Sequence, residues 1–114
     1  MKYKTKQETF WAGQFGNKYI VRNTGPHLLA SNLHFFATAL KVVSRINTCM
    51  EFGANIGMNL SALALLYPDL SLHALEINKE AANHLSKIIP SENVICKSIL
   101  NYQSNDKFDL LILK

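Results

Sequence analysis

Long apolar runs are missing from this chain: nowhere do the roughly 20 consecutive apolar residues of a membrane-spanning helix occur. Cysteine is scarce too. Cys49 and Cys96 form no Cys-x-x-Cys pair, and no signal-peptide pattern precedes them, so a reduced, cytoplasmic setting is expected. His27, His34, His73 and His84 show no ligand spacing with one another or with the cysteines, which argues against a structural metal. A basic stripe interleaved with aromatics is absent as well. The formal charge of +4 comes from Lys2, Lys4 and Lys6 at the start and from basic residues scattered among acids, a solvated face rather than a nucleic-acid surface. What remains is 114 residues that are 48% hydrophobic, without internal repeat or linker, enough for one small core.

The most informative segment is Glu51-Phe52-Gly53-Ala54-Asn55-Ile56-Gly57. It follows the apolar run Ile46 to Met50 and opens into the helix-like Asn59 to Tyr67. A strand that ends in an acid, turns on glycines and re-enters a helix makes a nucleotide-binding corner. Gly53 removes the Cβ where the backbone reverses, and Asn55 is among the few residues that tolerate a left-handed conformation. Gly57 lets the following helix, or a ligand, approach closely. Glu51 puts a carboxylate at the strand's carboxyl end, where ligands of open α/β sheets bind. The dinucleotide fingerprint wants glycine at i, i+2 and i+5; from Gly53 those positions hold Gly53, Asn55 and Met58, a poor match. On these residues alone an ordinary strand-to-helix turn stays open.

Ser71 to Glu76 alternates like a second strand and ends in another acid, one helix beyond the loop. In a βαβ unit the carboxylate ending the second strand accepts hydrogen bonds from the ribose hydroxyls, two donors that suit an acceptor-only group. The bland alternative is a solvated Glu76 before the helix that begins Lys79-Glu80-Ala81. That helix, marked by Ala81, Ala82, Leu85, Ile88 and Ile89, closes at Pro90; strands at Asn93 to Cys96 and Phe108 to Leu113 follow. The expected sheet order is 3-2-1-4.

Residues 1–45 read as an N-terminal helical arm or cap, and residues 46–114 as the cofactor-binding half of a Rossmann-like α/β domain. Thr24-Gly25-Pro26 starts a helix whose stripe of Leu29, Leu33, Phe36, Leu40 and Val43 should lie against the sheet, with the Phe35-Phe36 pair as core. Upstream, Phe10 to Tyr19 carries four aromatics and two glycines. It reads as too broken for a regular helix and too aromatic for a linker. It is either a packed arm or a lid in which Phe15 and Tyr19 close over a cofactor, with Arg22 and Asn23 placed to reach a carboxylate.

The loop from Glu51 to Gly57, with Asn55 in place of a middle glycine, resembles the first motif of class I S-adenosylmethionine-dependent methyltransferases. Three runs together narrow the likeness: Thr5 to Gly16, Ser31-Asn32-Leu33, and Met50 to Leu60 resemble the methylases associated with pseudaminic acid biosynthesis, found beside bacterial surface-sugar genes. The resemblance implies a truncated class I methyltransferase sheet and S-adenosylmethionine as cofactor, held by Glu51, Gly53, Ala54, Asn55, Gly57, Glu76, Phe15 and Tyr19. In that architecture Ser98 would bond the adenine edge and Ile99 cover its face, unless the two form only a polar turn. The methyl acceptor would be a small molecule, a sugar or sugar nucleotide, and no residue here stands out as a catalytic base. Members of that family continue well past Phe108-Asp109-Leu110, so the expectation is the amino-terminal part of a longer protein or a truncated gene product, with strand four an unprotected edge. Two other readings stand beside it: a non-catalytic nucleotide-binding fragment and an NAD-linked oxidoreductase half-domain.

Overall fold

Four apolar runs form one parallel sheet, ordered β3-β2-β1-β4, in a computed structural model that describes residues 2–14, 16–18 and 25–113. The strands are β1 (Thr48–Phe52), β2 (Ser71–Leu75), the two-residue β3 (Val94–Ile95) and β4 (Leu110–Leu113). The helices are α1 (Lys6–Ala12), α2 (Pro26–Ala39), α3 (Met58–Leu66) and α4 (Lys79–Leu85). Parallel neighbours cannot be joined by a hairpin, and α3 and α4 are the crossovers that link β1 to β2 and β2 to β3.

Register explains where the core sits. Cys49 lies opposite Leu72 and Leu110, and Glu51 opposite Ala74 and Ile112, so these side chains share one face. On that face Cys49, Leu72 and Ala74 meet Leu60 and Leu63 of α3, Leu85 of α4, and Phe36 and Leu40 from α2 and its end, in one buried cluster. The sequence of α3, Met-Asn-Leu-Ser-Ala-Leu-Ala-Leu-Leu, is apolar nearly all round because the helix has the sheet on one side and α2 on the other. Each fully buried leucine in this cluster contributes about 1.5–3 kcal/mol. Asp109 ties the starts of β1 and β4 together: its Oδ2 accepts from Asn47 N at 2.7 Å and Thr48 N at 3.2 Å, while its own N–H donates to Thr48 Oγ1.

Three expectations need correcting. Residues 10–12 are helical, because Thr5 and Glu8 form a reciprocal capping box that starts α1, and the first glycine, Gly13, ends that helix instead of breaking it. Val43 does not join the α2 stripe; the helix stops at Ala39 and Val43 is exposed. Of the phenylalanine pair only Phe36 is buried, and Phe35 stands in solvent with its ring edge-on to Phe36.

Candidate functional site

The corner after β1 is built on three left-handed residues: Gly53 at φ 74°, Asn55 at φ 53° and Gly57 at φ 83°. Gly53 and Ala54 donate to Leu75 O at 2.8 and 3.3 Å, and Gly57 N closes the turn on Ala54 O at 3.0 Å. The positive φ is what favours glycine at Gly57, and a Cβ there would also sit 2.7 Å from Leu85 Cδ2, so the leucine that ends α4 would have to turn aside. Ala54 is buried beneath the turn.

Both acids stand at the carboxyl ends of their strands, and both are buried. Glu51 is fully inside, and its Oε2 accepts from Asn59 Nδ2 of α3 at 2.6 Å. Glu76 reaches across to the first loop: Oε1 accepts from Asn55 N and Oε2 from Asn78 N, each at 2.7 Å. Burial raises its pKa against the pull of the N–H groups of Asn78, Asn55 and Ile77. Glu76 is therefore no solvated surface acid. Asn55 Oδ1 is buried and takes no hydrogen bond among the described residues, an acceptor left open beside that carboxylate.

Ser98 is buried and caps a short turn, accepting from Leu100 N at 3.1 Å. Its hydroxyl lies beside Glu8 and is the main cause holding that carboxyl below its ordinary pKa. Ile99 is exposed. Phe15, Tyr19, Arg22 and Asn23 lie outside the described residues. A cleft of about 450 Å³ opens between Tyr3 of the arm and Ile77, Lys79 and Cys96, at the carboxyl ends of β2 and β3. The Cys49 thiol is pushed up to about 12 by burial and by the Glu51 carboxylate, which makes it core rather than nucleophile. Among the described residues no three His, Cys, Asp or Glu side chains come together as metal ligands, and no helix is long and apolar enough to cross a membrane.

Three residues of this region were missed from sequence. Asn59 supports Glu51; Asn78 joins α4 to Glu76 and to the arm; Glu8 carries the α1 capping box. The Thr5-x-x-Glu8 spacing and an Asn immediately before Lys79-Glu80 were the available signals.

No family model matches the chain, and no curated protein matches it in sequence. Solved structures do match in shape. The plantazolicin methyltransferase BpumL, in complex with SAH, superposes with a TM-score of 0.69 at 18% identity, covering 93% of this chain and 44% of that one. The sugar N-methyltransferase KedS8 from Streptoalloteichus sp ATCC 53650 gives 0.66 at 11% identity, over 100% of this chain and 43% of that one. CalS10, a SAM-bound amino pentose methyltransferase from Micromonospora echinaspora involved in calicheamicin biosynthesis, gives 0.60 at 11% identity, over 100% and 44%. The fold is the Rossmann-like sheet of the S-adenosylmethionine-dependent methyltransferases. The chain spans less than half the length of these relatives in shape.

Proposed function

We propose that this chain carries the S-adenosylmethionine-binding part of a methyltransferase, with residues 1–45 as arm and cap and residues 46–114 as the cofactor half. The observation that carries the reading is Glu76, a buried carboxylate at the end of β2 locked to the loop after β1 through Asn55 N. Each Glu76 oxygen already accepts one N–H, and a carboxylate oxygen has room for a second donor, so the two vicinal ribose hydroxyls fit the positions left. The open Asn55 Oδ1 suits a further donor of the cofactor, its ammonium group being the chemical match. Ser98 and Ile99 would flank the adenine, and Phe15 and Tyr19 would close over it. When bound, the cofactor supplies a methyl group already activated by its sulfonium. The chain's part is then to hold the nucleoside, orient it and keep water out.

For the acceptor, the favoured class is a sugar or sugar nucleotide of the kind used in bacterial surface glycans. Its support is the resemblance of Thr5 to Gly16 and Met50 to Leu60 to the pseudaminic acid-associated methylases, together with sugar methyltransferases among the proteins of the same fold. An NAD-linked reading is weaker, because Asn55 and Met58 stand where the dinucleotide fingerprint needs glycine.

Calorimetric titration tests the cofactor. S-adenosylmethionine or its demethylated product should bind with NAD silent, and Glu76→Ala should weaken binding by about 1.5–3 kcal/mol through loss of hydrogen bonds to a charged acceptor. Saturable NAD binding without response to the other two would sink the reading.

A further inference from the structure

Asn78 uses every polar atom it has, on three different parts of the chain. Its backbone N–H donates to Glu76 Oε2, and its Oδ1 accepts from Ala81 N at 2.9 Å, which caps the amino end of α4. Its Nδ2 donates to Asn17 Oδ1 at 2.7 Å, to Trp11 O at 3.0 Å and to Ala12 O at 3.3 Å. Trp11 and Ala12 are the last two residues of α1. One amide thus closes the end of α1 and the start of α4 at once. The side chain is buried, although its partners lie more than sixty residues away in sequence.

The arm is shaped for this contact. Gly16 is buried, and a Cβ there would fall 1.8 Å from Trp11 O and 2.9 Å from Asn78 Nδ2. No other residue lets the chain fold back so closely. A mere packing contact would not need an amide with all its hydrogens used and a glycine facing it.

Resting on the cofactor reading above, we propose that Asn78 is a positioning residue that latches the arm to the ribose-binding carboxylate, so that arm closure and cofactor binding form one coupled equilibrium. Glu76 is held between Asn55 N and Asn78 N, and Asn78 is held in turn by the arm and by α4. Releasing the arm exposes the Nδ2 group to water and frees the turn that aims Asn78 N at Glu76. The carboxylate then has to be ordered when the nucleoside arrives, and the apparent affinity falls by the fraction of molecules in which it is already placed. Asn78 itself need not touch the cofactor.

The test uses two substitutions that break the latch from opposite sides in the full chain. Asn78→Ser keeps a neutral oxygen able to cap Ala81 N and removes the Nδ2 amide that reaches Trp11, Ala12 and Asn17, its shorter hydroxyl staying at the cap. Gly16→Ala leaves Asn78 untouched and forces the arm off it. If closure drops to about a tenth of molecules, each variant should bind S-adenosylhomocysteine about tenfold more weakly. Amide exchange should accelerate in residues 5–17 while β1 and β2 keep their protection. The double variant should lose no more than either single one, because both break the same latch. Asn17→Ala, which removes one acceptor only, should give a smaller loss in the same direction and serves if the others fold poorly. Lower melting temperatures with unchanged affinity would overturn the latch and leave only a structural cap. Additive losses in the double variant would overturn the coupling. A wild-type chain that binds no S-adenosylhomocysteine overturns the cofactor reading and the coupling with it, an outcome distinct from a wild type that binds and variants that bind equally well.

Discussion

On one face of the sheet Cys49, Leu72 and Ala74 lie beneath α2, α3 and α4, with Leu110 and Ile112 packed against the same cluster. On the other, Leu111 and Leu113 of the same β4 strand stand 56% and 75% exposed. On that second face Phe108 meets His73 with ring centres 5.1 Å apart and Tyr102 meets Phe52 at 5.6 Å, and Leu75 of β2 is buried there. Between these patches Met50 is still buried. The difference lies in the connections. The two βαβ crossovers put helices on one side, whereas the passage from β3 to β4 crosses the other side with nothing longer than a three-residue turn. Yet β4 reads Leu-Leu-Ile-Leu, the continuous apolar run of a parallel strand covered on both faces rather than the alternation of a half-exposed one.

The largest effect expected from that comparison is on the roofed side. Leu63→Ala, at a side chain with no exposed surface in the middle of the α2–α3–sheet cluster, should cost about 2–5 kcal/mol of stability, seen as an early denaturation midpoint. A loss below ~1 kcal/mol would mean that the helical side is no better packed than the bare one.

Much of this was legible beforehand, and the reasons are local. Positive φ selects glycine and asparagine, so Gly53, Asn55 and Gly57 announced the corner from composition alone. The sheet order β3-β2-β1-β4 is the one expected for four parallel strands in a half-sheet of this architecture. What stayed hidden depends on partners distant in sequence. Nothing near Asn78 says that Trp11, Ala12 and Asn17 will meet it, and nothing near Ser98 announces Glu8. The run Phe10-Trp11-Ala12 looked irregular because Gly13 and Gly16 follow it, although the Thr5–Glu8 capping signal lies just before it. β3 came out at two residues, against a four-residue expectation, because an edge strand needs pairing on one side only and finds it just at Ala74 and Leu75.

A middle-sized effect distinguishes two buried carboxylates by pH. Burial lifts the Glu76 pKa above its ordinary 4.5, so the folded chain holds that proton more tightly than the unfolded chain does. Its contribution is complete below the unfolded pKa and is lost as pH rises through the folded one. Glu8 runs the opposite way. The Ser98 hydroxyl, against the opposing push of burial and with help from the N–H groups of Thr5 and Lys4, lowers its pKa below 4.5. Its contribution is present above the unfolded pKa and disappears as pH falls through the folded one. Melting curves across this range should show Glu76→Gln flattening the decline above pH 4.5 and Glu8→Gln flattening the decline below it. The same slope change from both variants, on the same side, would contradict the assigned environments.

The smallest effect belongs to the bare face, and it separates folding from association. Leu113→Lys removes an apolar side chain that is three-quarters exposed, so the change in stability should stay within ~0.5 kcal/mol. Solubility should respond more. Leu111 and Leu113 project from an edge strand whose outer N–H and C=O groups have no strand beside them among the described residues, and an apolar edge of that kind pairs readily with another copy. A lysine there places charge where a second strand would dock. Light scattering should therefore fall in Leu113→Lys at unchanged melting temperature, and binding of a hydrophobic dye should fall with it. A melting temperature that drops as far as it does in Leu63→Ala would show that something within the chain covers Leu113, and the contrast between the two faces would be lost.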